Sequence, residues 1–401
     1  MNLGDIFRTV VHKRLVAVDL PRLASNQHEI NGNIDLQRLF GTRCRTEGVM
    51  SWHFFADDEE PIHEENQFTF YNARGKSSER TGRTEWRLYY YGEFVSHAGV
   101  GDLMILAQAK DGRYFGLIFR EASASQRAAR QMFALMGKEE TTFSTIPEEK
   151  LTAQRLEFFQ QQIFRELDLE LVLPSATTDE DLMLSNFGER FPPTQRMSQF
   201  AREQVDADPT NCDDTLTRWL EREEQLFRAL EKVIIGKRLQ QQFATVDDFI
   251  QYSLSVQNTR KSRMGFSLQN HLAHLFAHHK LRFDAQARTE AKNKPDFIFP
   301  GQKEYHDAAF DASLLVMLAA KSTSKDRWRQ ILPEAEKIPS KHLCTLEPGI
   351  SVSQTEEMRR HRVTLVIPES LHRTYTESQR LNLWSVADFV TFVRQKQHEH
   401  R

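Results

Sequence analysis

The chain has 401 residues, 39% of them hydrophobic and 27% charged, a length that predicts two or three domains and a composition typical of globular chains. No apolar run reaches the ~20 residues of a membrane helix, no signal peptide is expected at the start, and three scattered cysteines (Cys44, Cys212, Cys344) exclude a disulfide framework or a cysteine zinc site and fit a reducing cytoplasm. The net charge of −3, from 53 Lys and Arg against 56 Asp and Glu, speaks against a uniformly basic nucleic-acid-binding protein.

That total is a cancellation between patches. Residues 74–87, 260–263 and 321–329 are basic strips, whereas residues 57–65 and 166–189 hold six and seven acids and no Lys or Arg. Along residues 14–120 the short β-type runs LVAVDL, VMSWHFF, QFTFY, WRLYYY, DLMILAQ and YFGLIF, separated by turn residues, predict an all-β barrel or sandwich. Residues 149–170 read as helical. Residues 171–211, with four prolines, many polar residues and no clear period, read as an acidic interdomain linker that could pack on a neighbour.

From residue 213 the texture becomes mixed α/β. Asp213 or Asp214 is expected to cap a helix with an apolar face of Leu216, Trp219, Leu220, Phe227, Leu230, Val233 and Ile234, ended by Gly236. Thr245 with Asp248 has the form of a capping box, and Ser267 is expected to cap a second helix, SLQNHLAHLFAHH. The strand-like runs DFIFP, LLVMLAAK, HLCTL and VTLVIP follow, then a last helix, SVADFVTFVRQ. Strands alternating with helices imply a mixed sheet with helices on its faces.

KPDFIFP at 294–300 and LAAKSTSKDRWRQILPEAEK at 318–337 carry the chemistry. Asp296 starts one apolar strand and Lys321 ends another, so neighbouring strands would bring carboxylate and ammonium to one sheet edge. Glu334, on a helix expected after Lys321, would add a second carboxylate. Two carboxylates suit a hard cation, and a lysine suits a developing negative charge. A Pro-Asp at a strand start is also an ordinary turn, and a strand-end lysine is commonly just solvated. Pro333 is expected to kink or restart the helix carrying Glu334. His271, His274 and His278 share a helix face, but no fourth zinc ligand is evident and partly buried or DNA-facing roles suit them better.

NTRKSRMG…SL..HL.HLF, KPDFIFPG…YHD, KSTSKDRWRQILPEAEKI and VTLVIPESLH, within about 257–375, together resemble the catalytic domain of EcoRII-type type II restriction endonucleases, PD-(D/E)XK nucleases of CC/GG-containing sites. The resemblance implies an α/β catalytic domain with a restriction-endonuclease-like mixed sheet flanked by helices, and catalytic Asp296, Lys321 and Glu334, with Tyr305 a plausible neighbour. Asp296 and Glu334 would hold Mg²⁺. Ala319 stands where the motif normally has its second acid, and Glu334 stands at the family's relocated position. Relatives often carry a further acid on the helix that here has Gln269, Asn270 and Ala273. The resemblance makes Lys325, Asp326 and Arg327 base readers, where the residues alone favour a salt-bridged helix start capped by Asp326; Arg and Lys suit guanine and Asp suits cytosine. Arg260, Lys261 and Arg263 read as a phosphate clamp.

Upstream, residues 70–92 and 25–32 resemble the effector-DNA-binding domain of the same enzymes, an all-β DNA-binding pseudobarrel also found in plant auxin-response transcription factors. Arg74, Arg83, Glu85 and Arg87, with Asn26 and His28, are the implied DNA contacts, and Trp86 is expected in the core; an exposed salt-bridged hairpin is the alternative for the charged set. The implied organisation is an effector-binding pseudobarrel at 1–170, a linker at 171–211 and an endonuclease domain at 212–401. The implied partners are double-stranded DNA in two copies of the recognition site, a second copy of the chain as a homodimer, and a cognate DNA methyltransferase protecting host DNA in the bacterial cytoplasm, with no membrane. The N-terminal domain is expected to block the catalytic cleft until a second site binds, and the acids of 166–189 could pair with a basic groove in the free protein. A catalytically inactive, sequence-specific DNA-binding protein is the alternative function.

Overall fold

A computed structural model describes residues 2–20, 28–57, 62–75, 83–92, 94–135, 140–153, 177–290, 293–322 and 328–399. The chain forms two compact units, one within Met1–Leu171 and the other within Val172–Glu347 and Val352–Arg401.

The N-terminal unit is built on one strongly curled, half-barrel sheet. Its strands are β1 (Phe7–Arg14), β2 (Glu29–Asn31), β3 (Arg45–Phe55), β4 (Ile62–Asn72), β5 (Trp86–Tyr90), β6 (Leu103–Ala109), β7 (Tyr114–Phe119) and β8 (Ser144–Thr145). Their order is β2-β5-β4-β3-β7-β6-β1-β8, with β3 and β7 parallel and the other pairs antiparallel. Five of the six predicted runs are strands; LVAVDL instead carries a 3₁₀ turn at Ala17–Asp19, and β1 lies just before it. Alternation along the strands feeds two apolar clusters. Ile105, Phe115, Leu117 and Phe119 pack with Met132 and Phe133, whereas Trp52, Phe68, Phe70, Leu88 and Met104 pack together in the other. Gly116 is dictated by this packing, because a Cβ there would lie 2.1 Å from the Trp52 ring. Trp86 is buried and stacks on Phe70 at 5.0 Å, as expected.

The C-terminal unit has a mixed sheet ordered β13-β12-β11-β10-β9: β9 (Asp284–Ala285), β10 (Phe297–Phe299), β11 (Val316–Lys321), β12 (Lys341–Thr345) and β13 (Val363–Val366). β11, β12 and β13 run parallel, while β10 is antiparallel to both neighbours. The helices used below are α1 (Thr177–Phe187), α2 (Thr194–Glu203), α3 (Cys212–Leu239), α4 (Val246–His278) and α5 (Val386–Glu399).

Four sequence expectations are corrected here. The described part of the expected linker contains α1 and α2, whose Met183, Met197 and Phe200 are buried with Leu226, Phe227 and Leu230 of α3. Three of the seven acids of 166–189 serve that packing, as Asp179 pairs with Arg222, Glu180 with Lys232 and Glu189 with Lys237. α3 runs through Gly236, since one interior glycine costs only about 1 kcal/mol; its cap is Asn211, and Asp213 instead accepts the backbone N–H groups of Glu369, Val386 and Ala387. The two helices expected before and after Ser267 are one 33-residue helix, α4, with Ser267 inside it and the Thr245–Asp248 capping box at its start. Proline is missing from that stretch, so nothing forces a break.

Candidate active site

Packing of α4 on the sheet builds the site. Leu268, Leu272, Leu275 and Phe276 are fully buried at helical spacing. The Phe276 ring meets Phe297 and Phe299 edge-on at 5.2 Å each, fixing β10 under the helix. Gln269, about two turns earlier on α4, donates from Nε2 to Asp296 Oδ1 at 2.8 Å, just ahead of β10.

The register of β10 and β11 does the rest. Phe297 faces Leu318 in the antiparallel pair, so Asp296 lies at the end of β10 beside the last residues of β11. Its Oδ2 accepts the Ala320 N–H at 2.7 Å and Lys321 Nζ at 3.1 Å. Oδ1 accepts Gln269 and, at 2.9 Å, Gln286 Nε2. Asp296 is 5% exposed and stays satisfied through these four donors. The expectation that strand-end acid and lysine meet at one sheet edge is met.

Glu334 arrives differently. A 3₁₀ turn at Trp328–Ile331 is followed by non-helical turns through 337, so Glu334 is not on a helix. Pro333 supplies the reason, having no N–H to donate and a ring that obstructs the preceding turn. Tethers hold this segment: Asn293 Nδ2 donates to the Pro333 carbonyl at 3.0 Å, and Lys341 Nζ donates to those of Ala335 (3.2 Å) and Ile338 (2.8 Å). Burial raises the Glu334 carboxyl above its ordinary range, Lys321 and Lys341 oppose the rise, and Asp296 adds to it. Its Oε2 is buried with no hydrogen-bond partner among the described residues. A buried carboxylate oxygen left without a described partner, within electrostatic reach of the Asp296 carboxylate, is a fitting donor for a hard divalent cation. Among the described residues no cluster of three or more His, Cys, Asp or Glu side chains forms a metal cage.

Tyr305 is fully buried and hydrogen-bonds Glu290 rather than Asp296 or Lys321. Its hydroxyl lies 2.5 and 2.7 Å from the two Glu290 oxygens, and Lys337 Nζ donates to its carbonyl at 2.8 Å. Burial, reinforced by Glu290, raises the Tyr305 hydroxyl pKa. It therefore braces the segment that carries Glu334. Gln286, Glu290 and Lys341 were not anticipated; KHLCT reads as a plain strand, and only burial reveals Lys341. Gln269 stands out in the sequence only as a position where relatives often carry an acid.

The expected DNA contacts divide. Lys325, Asp326, Arg327 and Asn26 lie outside the described residues. Arg260 is turned inward, making two 2.8 Å bonds to the buried Glu231. Arg263 donates to the Pro192 carbonyl at 2.8 Å and lies over the Phe191 and Phe227 rings, 5.0 Å from each. Of the expected phosphate clamp only Lys261 remains exposed. His271 lies against Trp219 and 2.9 Å from Glu223, a core position. In the N-terminal unit β5 begins at Trp86, so Arg83 and Glu85 precede it, and Arg83 is exposed. Glu85 pairs with Arg87 and, at 3.4 Å, with Arg74, and Arg87 also bonds Asn31. The His28 ring lies edge-on to Tyr90 at 5.5 Å.

The site is thus a mixed sheet with an Asp–Lys pair where two strands meet and a second carboxylate within its electrostatic reach, and comparison shows what this region is similar to. Residues 227–390 match the family described as EcoRII C terminal. The chain is 44% identical over 202 residues to the type II restriction enzyme EcoRII of Escherichia coli, a match covering 50% of each protein, so the chain spans about half the length of the curated relative it matches. Two solved structures are also similar: metal-depleted Ecl18kI with uncleaved, modified DNA (TM-score 0.45, 14% identity, 56% of this chain and 85% of that one) and the restriction endonuclease PspGI–substrate DNA complex (TM-score 0.44, 15% identity, 54% and 96%).

Proposed function

We propose that the chain is a type II restriction endonuclease that hydrolyses double-stranded DNA at a CC/GG-containing site with Mg²⁺. One observation carries the reading: Asp296 and Lys321 meet at 3.1 Å at a sheet edge, inside the region matching the EcoRII C-terminal family. When bound at Asp296 and Glu334, the cation would supply an activated water and neutralise charge on the attacked phosphate. Lys321 Nζ, part-exposed, orients the water or stabilises the phosphate as negative charge develops. Asn293, Lys341 and the Tyr305–Glu290 pair hold the Glu334 turn in place. Lys325, Asp326 and Arg327 read C:G pairs by donation to guanine and acceptance from cytosine.

The active form is a homodimer on a roughly palindromic site, and a methyltransferase modifies the same site in the host. Arg74, Arg83, Glu85 and Arg87, with Asn26 and His28, contact a second, effector copy of the site. Effector DNA shifts the enzyme toward its open state only through differential affinity for that state. The test is incubation with Mg²⁺ and DNA of known sequence, followed by mapping of the ends. Discrete fragments sharing a CC/GG motif support the reading; specific binding without cutting would favour the inactive DNA-binding alternative. Deleting the N-terminal unit tests the effector role, and no gain in cutting of single-site DNA would count against it.

A further inference from the structure

Among the described residues four hydrogen bonds reach Asp296, and they divide by oxygen. Both partners of Oδ1 are neutral side-chain amides, Gln269 at 2.8 Å and Gln286 at 2.9 Å. The partners of Oδ2 are a backbone N–H at 2.7 Å and the Lys321 ammonium at 3.1 Å. A carboxylate oxygen offers two lone-pair directions, so Oδ1 is closed by uncharged donors. On Oδ2 the longer bond comes from the flexible, part-exposed lysine, which a cation can displace. Among the described residues Glu334 Oε2 is buried and has no hydrogen-bond partner.

We propose that Gln269 and Gln286 restrict this centre to a single divalent cation, for which Asp296 and Glu334 would supply the carboxylate oxygens. This rests on reading the site as a cation centre and deepens it. Gln269 and Gln286 are positioning residues: they turn one carboxylate oxygen away from the ion without adding charge. A carboxylate in place of either amide would withdraw a donor from Oδ1 and add an oxygen ligand beside it, which are the requirements of a second ion.

The test is Mn²⁺ binding to the full chain, followed by electron paramagnetic resonance of the free ion and counted as the excess over Asp296→Asn. One Mn²⁺ per chain is expected for the wild type and two for Gln269→Glu. Gln286→Glu, at an exposed position that tolerates change more easily, should also take two. Gln269→Ala should keep one Mn²⁺ with several-fold weaker affinity, because Asp296 loses one tether. Two ions in the wild type, or one in both glutamate variants when each melts cooperatively, would overturn the proposal. No excess over Asp296→Asn in the wild type would instead overturn the reading of the site as a cation centre.

Discussion

Arg260 separates the sequence expectation from the structure most cleanly. RKSR reads as a phosphate clamp, but the Arg260 guanidinium grips Glu231 through two 2.8 Å bonds, and Arg228 holds the same carboxylate at 2.8 Å. Arg260→Ala leaves Glu231, whose side chain is 5% exposed, with one cation in place of two. Breaking a fully buried pair costs roughly 3–5 kcal/mol. The Arg260 side chain is 34% exposed and Arg228 remains, so solvent screening reduces the expected cost to about 1–2 kcal/mol. For a unit of this size each kcal/mol lowers the melting temperature by roughly 2–4 °C, giving a fall of about 2–8 °C. Calorimetry reads that fall, and DNA titration at several salt concentrations reads the alternative. An unchanged melting temperature, with weaker DNA binding and a salt slope smaller by about one, would refute the reasoning and restore Arg260 as a phosphate contact.

Further outcomes follow from the same geometry. Lys321→Ala should abolish cutting while leaving site-specific binding within a few-fold in a gel-shift assay; unaltered cutting would remove Lys321 from the chemistry. Tyr305→Phe deletes the bond to Glu290 and should slow cutting by roughly 10-fold or more through a looser Glu334 turn, and an unchanged single-turnover rate would show that the brace is dispensable. His53 is buried beside His63, and burial first, then the His63 charge, lowers its pKa to about 4. Its folded value lies below the unfolded 6.5, so its contribution to stability is present above pH 6.5 and is lost as pH falls toward 4. Denaturant titrations of His53→Gln should show a shallower loss of stability across that window; parallel curves would contradict the assignment.

The Asp296–Lys321 pair was legible in the sequence because strand register alone decides it: two apolar runs with polar ends, paired antiparallel, bring those ends together. The core β runs of the N-terminal unit were legible through alternation and turn residues. Tertiary partners were not legible. A linear pattern carries no sign that Arg260 faces Glu231 or that Arg263 lies over Phe191 and Phe227. The helices of the expected linker segment were not legible, because α1 and α2 bury only a few apolar residues against α3 and use their acids on its Arg222, Lys232 and Lys237. Pro333 flagged a disturbed helix, but the turn that replaces it depends on Asn293 and Lys341, which are distant or unremarkable in sequence.

The central claim is that Asp296, Lys321 and Glu334 form a cation-dependent phosphodiesterase centre. Its most direct test is end-mapping after the full chain is incubated with a DNA carrying several CC/GG sites, with and without Mg²⁺, beside Asp296→Asn and Glu334→Gln. The account predicts discrete cuts at a shared motif with Mg²⁺ alone, and none in either variant although both still bind the site. Cutting that persists in Asp296→Asn, or proceeds equally in a chelator, would contradict it.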